Sequence, residues 1–363
     1  MGLFKPHLSV SSPITTLVFD WGDTLMMDNP QCTGSMADWP QVAAVPGIHQ
    51  TLAQLSSQFS LAVATNAGVS TAQKVRQALK RVELDHYFDQ IFTSRDLDAV
   101  KPHLDYFRAI ESKLAATPSE LVMIGDGYLN DVLGPCHAGW RAIWFNPHDH
   151  GCTSLTPLHS AEISHMADLP LALQSLELPT VAECLLWLRQ QDATFNLIQH
   201  VQTVASCAYQ MALWLRVAGH TVDPVLAHRG GLLHDLGKIN TLRGQSSGLN
   251  HGEFAAKLLN EWGYPQLAGI AQSHLLFSIT DPASRPASLE EKVVYFCDKI
   301  VESNRVVPLD VRIAKLQQRY AQDSQKILDC LPALSAMQQE LCAAMQLSEE
   351  QLIPRLATAL LET

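Results

Sequence analysis

Three short apolar runs in the first half of the chain end in the same way. Residues 16–19 lead into Asp20, 61–64 into Thr65 and Asn66, and 121–124 into Gly125 and Asp126. A fourth run lies at 141–145, and helix-like stretches at 70–80 and 106–114 fall between the runs. Strands this short, with no alternation of apolar and polar residues, have to be covered on both faces. That predicts a parallel sheet between two layers of helices. Ligands of such sheets bind beyond the carboxyl ends of the strands, so Asp20, Thr65 and Asp126 are expected together on one edge.

The pattern changes near residue 178. Pro179-Thr180 followed by Glu183 has the form of a capping box. Residues 181–219 then read as two helices, and helical spacing continues through 254–262, 289–302 and 311–320 as far as Leu361. Gly219, Pro224, Gly237, Gly263, Pro282 and Pro286 punctuate these stretches. Two domains are expected: α/β over 1–177 and an all-α bundle over 178–345. A helical tail follows over 346–363, with Leu352, Leu356, Leu360 and Leu361 positioned to pack on the bundle. A length of 363 residues accommodates two domains of about 150 residues each. With 47% apolar and 17% charged residues, the chain is neither disordered nor collagen-like.

A net charge of -11 argues against nonspecific duplex DNA binding but leaves room for an anionic substrate held through metal ions. The eight cysteines form no CxxC pair, as expected in a reducing compartment. No apolar run approaches the roughly 18 residues that span a bilayer, and the opening MGLFKPHLSV lacks a signal-peptide core. A cytoplasmic protein without a membrane partner is the expectation.

The segment Phe19-Asp20-Trp21-Gly22-Asp23-Thr24-Leu25 sets two acids and a threonine directly after a strand. Gly125-Asp126-Gly127-Tyr128-Leu129-Asn130-Asp131 repeats the arrangement. Carboxylates converging at one sheet edge call for a hard cation, and Mg²⁺ suits oxygen ligands. Lys101 can offset further negative charge, and Thr65 can hydrogen-bond a phosphate oxygen. Singly, such acids are more often turn residues and helix caps. Together with Lys101-Pro102 and Ala138-Gly139-Trp140, they resemble the haloacid-dehalogenase (HAD) superfamily of phosphatases over about residues 14–178.

The resemblance implies a Rossmann-like fold in which Asp20 is the nucleophile, Thr65 binds phosphate and Lys101 is the motif lysine. Asp126 and Asp131 bind Mg²⁺ with Asp20 and the Gly22 carbonyl. The family carries a second aspartate two residues after the nucleophile as general acid/base, and here that position is Gly22. Losing that acid predicts turnover reduced ~10²–10⁴-fold for poor leaving groups. The short segment between Leu25 and Ser60 predicts a minimal cap.

The second half places His200, the adjacent pair His234-Asp235, His251, His274 and Asp298 along its helices. Imidazole with carboxylate suits Fe, Mn, Zn or Co, and one carboxylate can bridge two ions that activate water for an in-line displacement. An isolated helical histidine is more often a surface or core residue, the expectation for His220 and His228. The order His, His-Asp, His, His, Asp resembles the HD superfamily of metal-dependent phosphohydrolases over about residues 180–320.

By that resemblance His200, His234, Asp235 and Asp298 hold one metal. His251 and His274 hold a second, Asp235 bridges them, and Lys238 and Arg305 bind phosphate. The stretch 298–305 further resembles HD enzymes that cleave diadenosine tetraphosphate symmetrically. The expected function is a metal-dependent phosphohydrolase of a nucleotide or related phosphate ester, acting through the HD half, with oligomerisation possible. Two alternatives stand beside it. One is a Mg²⁺-dependent HAD phosphatase of small molecules with a regulatory HD half, and the other a nucleotide-sensing binding protein.

Overall fold

The computed structural model describes residues 13–148, 150 and 155–361. The amino-terminal stretch read for a signal peptide and the last two residues of the tail lie outside them. The described residues divide into two compact units that part between Glu177 and Leu178, with 155–157 counted in the second.

The first unit is a six-stranded parallel sheet. Its strands are β1 (Thr16–Phe19), β2 (Ser60–Thr65), β3 (Gln90–Thr93), β4 (Leu121–Gly125), β5 (Arg141–Phe145) and β6 (Ala161–Ile163), in the order β3-β2-β1-β4-β5-β6. β1 is central, with Phe19 in register with Val63 of β2 and Ile124 of β4. Asp20, Ala64 and Gly125 therefore sit level at the carboxyl edge.

Successive side chains of one strand enter different cores, which is why the strands read as unbroken apolar runs. Leu17, Phe19, Leu61, Val63, Val122 and Ile124 pack with residues of α1 (Ile48–Leu55) and α2 (Ala72–Arg81). Val18, Ala62, Ala64, Leu121 and Met123 pack with Tyr106, Phe107 and Ile110 of α3 (Leu104–Leu114). β3 and β6, the edge strands of the sheet, are not marked by the apolar runs of the sequence. The segment between β1 and α1 holds a single 3₁₀ turn, Met36–Asp38, with Met36 and Trp39 buried in the first core. The cap is thus small and packed down.

The second unit is largely helical: α4 (Val181–Gln190), α5 (Phe195–Val217), α6 (Pro224–Leu233), α7 (Lys238–Leu242), α8 (His251–Glu261), α9 (Pro265–Ser273) and α10 (Leu289–Ile300), then α11 (Leu309–Arg319), α12 (Leu331–Ala344) and α13 (Glu349–Leu361). The capping box read from Thr180 and Glu183 is present. Asn250 with Glu253 and Ser288 with Glu291 start α8 and α10 in the same way.

α5 and α6 approach closely because residue 231 is glycine: a Cβ there would lie 2.5 Å from the Ala205 Cα. The helix expected over 289–302 ends at Ile300, since 301–306 turn back as a hairpin of β7 (Val301–Glu302) and β8 (Arg305–Val306). In the tail, Leu352 and Leu356 are buried and Arg355 lies 5.0 Å from the Trp214 ring of α5, whereas Leu361 is exposed, against expectation. No helix among the described residues is long and apolar enough to cross a membrane.

Each unit has its own buried core and is large enough to fold independently. Residues 1–177 and 179–363, expressed separately, are expected to be soluble and to melt cooperatively by circular dichroism. Two unfolded fragments from a folded parent would refute this.

Candidate functional site

At the carboxyl edge of the sheet, Lys101 organises the first cluster. Its ammonium donates to Asp20 Oδ1 at 2.7 Å, Asp131 Oδ1 at 2.6 Å and the Ala64 carbonyl at 2.9 Å. The lysine backbone is clamped by Asn66, whose Oδ1 accepts from the Lys101 amide (2.8 Å) and whose Nδ2 donates to the Lys101 carbonyl (2.9 Å). Asp131 lies on a π-helical turn, Tyr128–Leu133, and its Oδ2 accepts from the Gly127 amide at 3.0 Å. Thr24 donates to Asp126 Oδ1 at 3.1 Å. Thr65 is buried at the end of β2, where its carbonyl accepts from Tyr106 Oη.

Oxygens of Asp20, Asp126 and Asp131 lie within 4.8 Å of one another. Burial pushes the Asp131 carboxyl up to about 7 against the opposing pull of Lys101. Burial and Asp20 also raise Asp126. Three carboxylates facing one ammonium form an all-oxygen set short of positive charge, and that fits Mg²⁺. Gly22 stands where the family pattern has a side-chain acid, and the next residue is Asp23. Asp23 adopts a φ of 51° and its Oδ1 accepts from the Asp28 amide.

The second cluster is assembled from helix ends. Gly230 at the close of α6 accepts the His234 amide, which projects His234 and Asp235 from the helix terminus. His251 opens α8, His274 follows α9, His200 comes from α5 and Asp298 from α10. Asp235 is buried at the centre. Its Oδ1 lies 3.3 Å from His251 Nε2 and 3.5 Å from His274 Nε2, and its Oδ2 lies 3.6 Å from His234 Nε2. Asp298 Oδ1 is 3.0 Å from His200 Nε2 and 3.8 Å from His234 Nε2. The set divides about Asp235 into one group with His200, His234 and Asp298 and another with His251 and His274.

Two details fit metal binding. His234 Nδ1 donates to the Gly231 carbonyl (2.7 Å) and His274 Nδ1 to the Ala271 carbonyl (2.5 Å), so each Nε2 carries its lone pair. Both Nε2 atoms are buried without a hydrogen-bond partner. Burial also pushes the His234 imidazole down to about 3 and His251 to about 4, the latter helped by His274, which leaves both rings neutral. Ligand atoms each roughly 2.1 Å from a common ion stand about 3.0–3.5 Å apart, close to the spacings around Asp235. Burial would raise the Asp235 carboxyl, but the Lys238 ammonium holds it well below the usual range. Lys299 and His200 do the same for Asp298.

Lys238 pairs with Asp235 Oδ2. Arg305 is exposed on β8 and forms no ion pair among the described residues. His220 is exposed, and His228 is buried beside Arg229 and outside the cluster. Asn66, Lys299 and Ser303, whose carbonyl lies 3.1 Å from His200 Nδ1, were not singled out from the sequence. Asn66 adjoins Thr65, and Lys299 places a second charge beside Asp298 within an apolar helix; these were the available signals.

Residues 29–145 match the haloacid dehalogenase-like hydrolase family and residues 197–302 match the HD domain. The first match starts after Asp20 and Gly22. An uncharacterized protein of Methanocaldococcus jannaschii is 32% identical over 143 residues, 36% of this chain and 82% of that protein. A pyrimidine 5'-nucleotidase of Streptococcus pneumoniae is 34% identical over 110 residues, 30% of this chain and 45% of the enzyme. A glyceraldehyde 3-phosphate phosphatase of Methanothermobacter thermautotrophicus is 31% identical over 144 residues, 39% of this chain and 61% of the enzyme. The chain thus spans less than two thirds of the length of either enzyme.

Gly125 leaves space for the Asp131 carboxylate, because a Cβ at 125 would lie 2.4 Å from Asp131 Cγ. Gly125→Ala is expected to displace Asp131 and weaken Mg²⁺ binding roughly 10–100-fold, measured by calorimetry. Unchanged affinity would remove Asp131 from the ion site.

Proposed function

Because this chain joins a haloacid dehalogenase-like hydrolase domain to an HD domain, we propose that it is a two-site phosphohydrolase whose HD half cleaves a nucleotide or related phosphate ester. The proposed domains are 1–177 and 178–345, with 346–363 as a tail. The reading rests on one observation: two buried imidazole nitrogens, of His234 and His274, turn toward Asp235 with no hydrogen-bond partner. In this reading His200, His234, Asp235 and Asp298 hold one ion and His251, His274 and Asp235 a second. Fe, Mn, Zn or Co suits these ligands. Bound there, the ions supply Lewis acidity and make water a nucleophile at neutral pH. The carbonyls of Gly231 and Ala271 fix the rings, and Lys238 turns from Asp235 to neutralise substrate phosphate. Arg305, exposed on the hairpin, is the second phosphate-binding residue in this reading.

The arrangement of Lys101, Asp20 and Asp131 favours a second reading for the other half. There Asp20 attacks phosphorus, the P–O bond to the leaving group breaks, and water then releases phosphate from the aspartyl phosphate. Lys101 orients Asp20, Thr65 hydrogen-bonds the transferring group, and Mg²⁺ held by Asp20, Asp126, Asp131 and the Gly22 carbonyl supplies charge neutralisation. The two enzymes described above lend this half the expectation of a small phosphate monoester.

A panel of mononucleotides, dinucleoside polyphosphates, cyclic nucleotides and sugar phosphates, tested on the full chain, separates the sites. His234→Ala is expected to remove a transition-metal-dependent activity by at least ~100-fold, while Asp20→Asn leaves it intact. Turnover unaffected by His234→Ala would place the chemistry elsewhere.

The Mg²⁺-dependent activity is expected to favour aryl over alkyl phosphates, because Gly22 cannot protonate a leaving group. A Cβ at residue 22 has room, since it meets only Met36 Cε at 3.7 Å. Gly22→Asp should raise alkyl turnover more than aryl turnover, by up to ~10²-fold. Equal, fast turnover of both ester types before the change would show that another group supplies the proton.

A further inference from the structure

Lys299 is a buried cation adjoining the imidazole-carboxylate cluster, and none of the roles assigned above uses it. Its side chain is 4% exposed, and its ammonium lies 4.8 Å from the centre of the Tyr295 ring. Two acceptors hold it: Asp298 Oδ2 and, at 2.8 Å, the backbone carbonyl of His274. These belong to opposite groups of the cluster. Asp298 turns its other oxygen toward His200 and His234, while the His274 ring faces Asp235 Oδ1.

His274 follows α9 and Asp298 lies in α10, so one ammonium ties the end of one helix to the side of the next. A shift of either ligand costs hydrogen bonding at the other. Tyr295 packs under the lysine and donates to the Leu276 carbonyl at 2.7 Å, holding the segment after His274 to the same helix.

We propose that Lys299 is a positioning residue that makes the two groups of ligands one mechanical unit, so that ion binding in one group is coupled to ion binding in the other. The inference rests on the two-ion reading of the HD half. Lys299 touches neither ion nor substrate in this account. It presents Asp298 and His274 in register, so the ligand set closes around both ions together.

The test is calorimetric titration of the chelator-stripped full chain with Zn²⁺, in excess Mg²⁺ to occupy the carboxylates of the first unit. The parent is expected to take up two ions in one transition. Lys299→Met keeps the stem over Tyr295 and removes the ammonium, so uptake should split into two steps, the weaker one 10–100-fold weaker. Lys299→Gln keeps a polar end but spans less distance than lysine and should split the transition likewise, which preserves the test if the Met variant does not fold. Lys299→Arg should restore a single transition. A purely structural role would lower the melting temperature without separating the steps. Parent-like uptake in the Met and Gln variants would overturn the positioning role and leave the two-ion reading standing. No Zn²⁺ uptake by the parent would overturn both.

Discussion

A carboxylate taken out of water needs a compensating positive charge, and both clusters in this chain are built around that requirement. Asp131, Asp235 and Asp298 are each almost fully buried, and each meets a lysine: Lys101, Lys238 and Lys299. Removing one partner of such a pair costs roughly 3–5 kcal/mol, because the charge left behind is uncompensated. In the first unit the central position of β1 brings the acids together, with flanking strands delivering Thr65 and Asp126 to the same edge. In the second, helix ends converge on Asp235. The remaining groups then either fix the charged ones in place, as Asn66 does for Lys101, or leave a lone pair facing inward, as His234 and His274 do.

The two clusters differ in donor chemistry. Oxygen alone at the strand ends suits a hard cation that retains water, whereas neutral imidazoles with carboxylate suit a borderline transition metal. Burial accounts for the protonation states in both. It lifts Asp131 against the pull of Lys101, and it depresses His234 against the pull of Asp235 and Asp298. The same desolvation produces an ion-hungry carboxylate set in one place and a ready set of neutral nitrogen ligands in the other.

Much of this was legible in the sequence because the chemistry falls where the local structure ends. Asp20 and Asp126 directly follow apolar strands, Thr65 closes one, and His234-Asp235 closes an apolar helical stretch. β3 and β6, as short edge strands, carry little apolar signal. The helix expected through Glu302 stops at Ile300 because Ser303, at a φ of 58°, turns the hairpin whose carbonyl receives His200. No periodicity encodes that turn. The tie from Lys299 to the His274 carbonyl is likewise invisible in sequence, since its acceptor is backbone 25 residues away.

The central claim is that Asp235 lies between two ions. Metal content of the purified full chain, measured by elemental analysis alongside Asp235→Ala, tests it most directly. The account predicts two transition-metal ions per chain in the parent and essentially none after the substitution. A parent without transition metal, or an Asp235→Ala variant that keeps both ions, would contradict it.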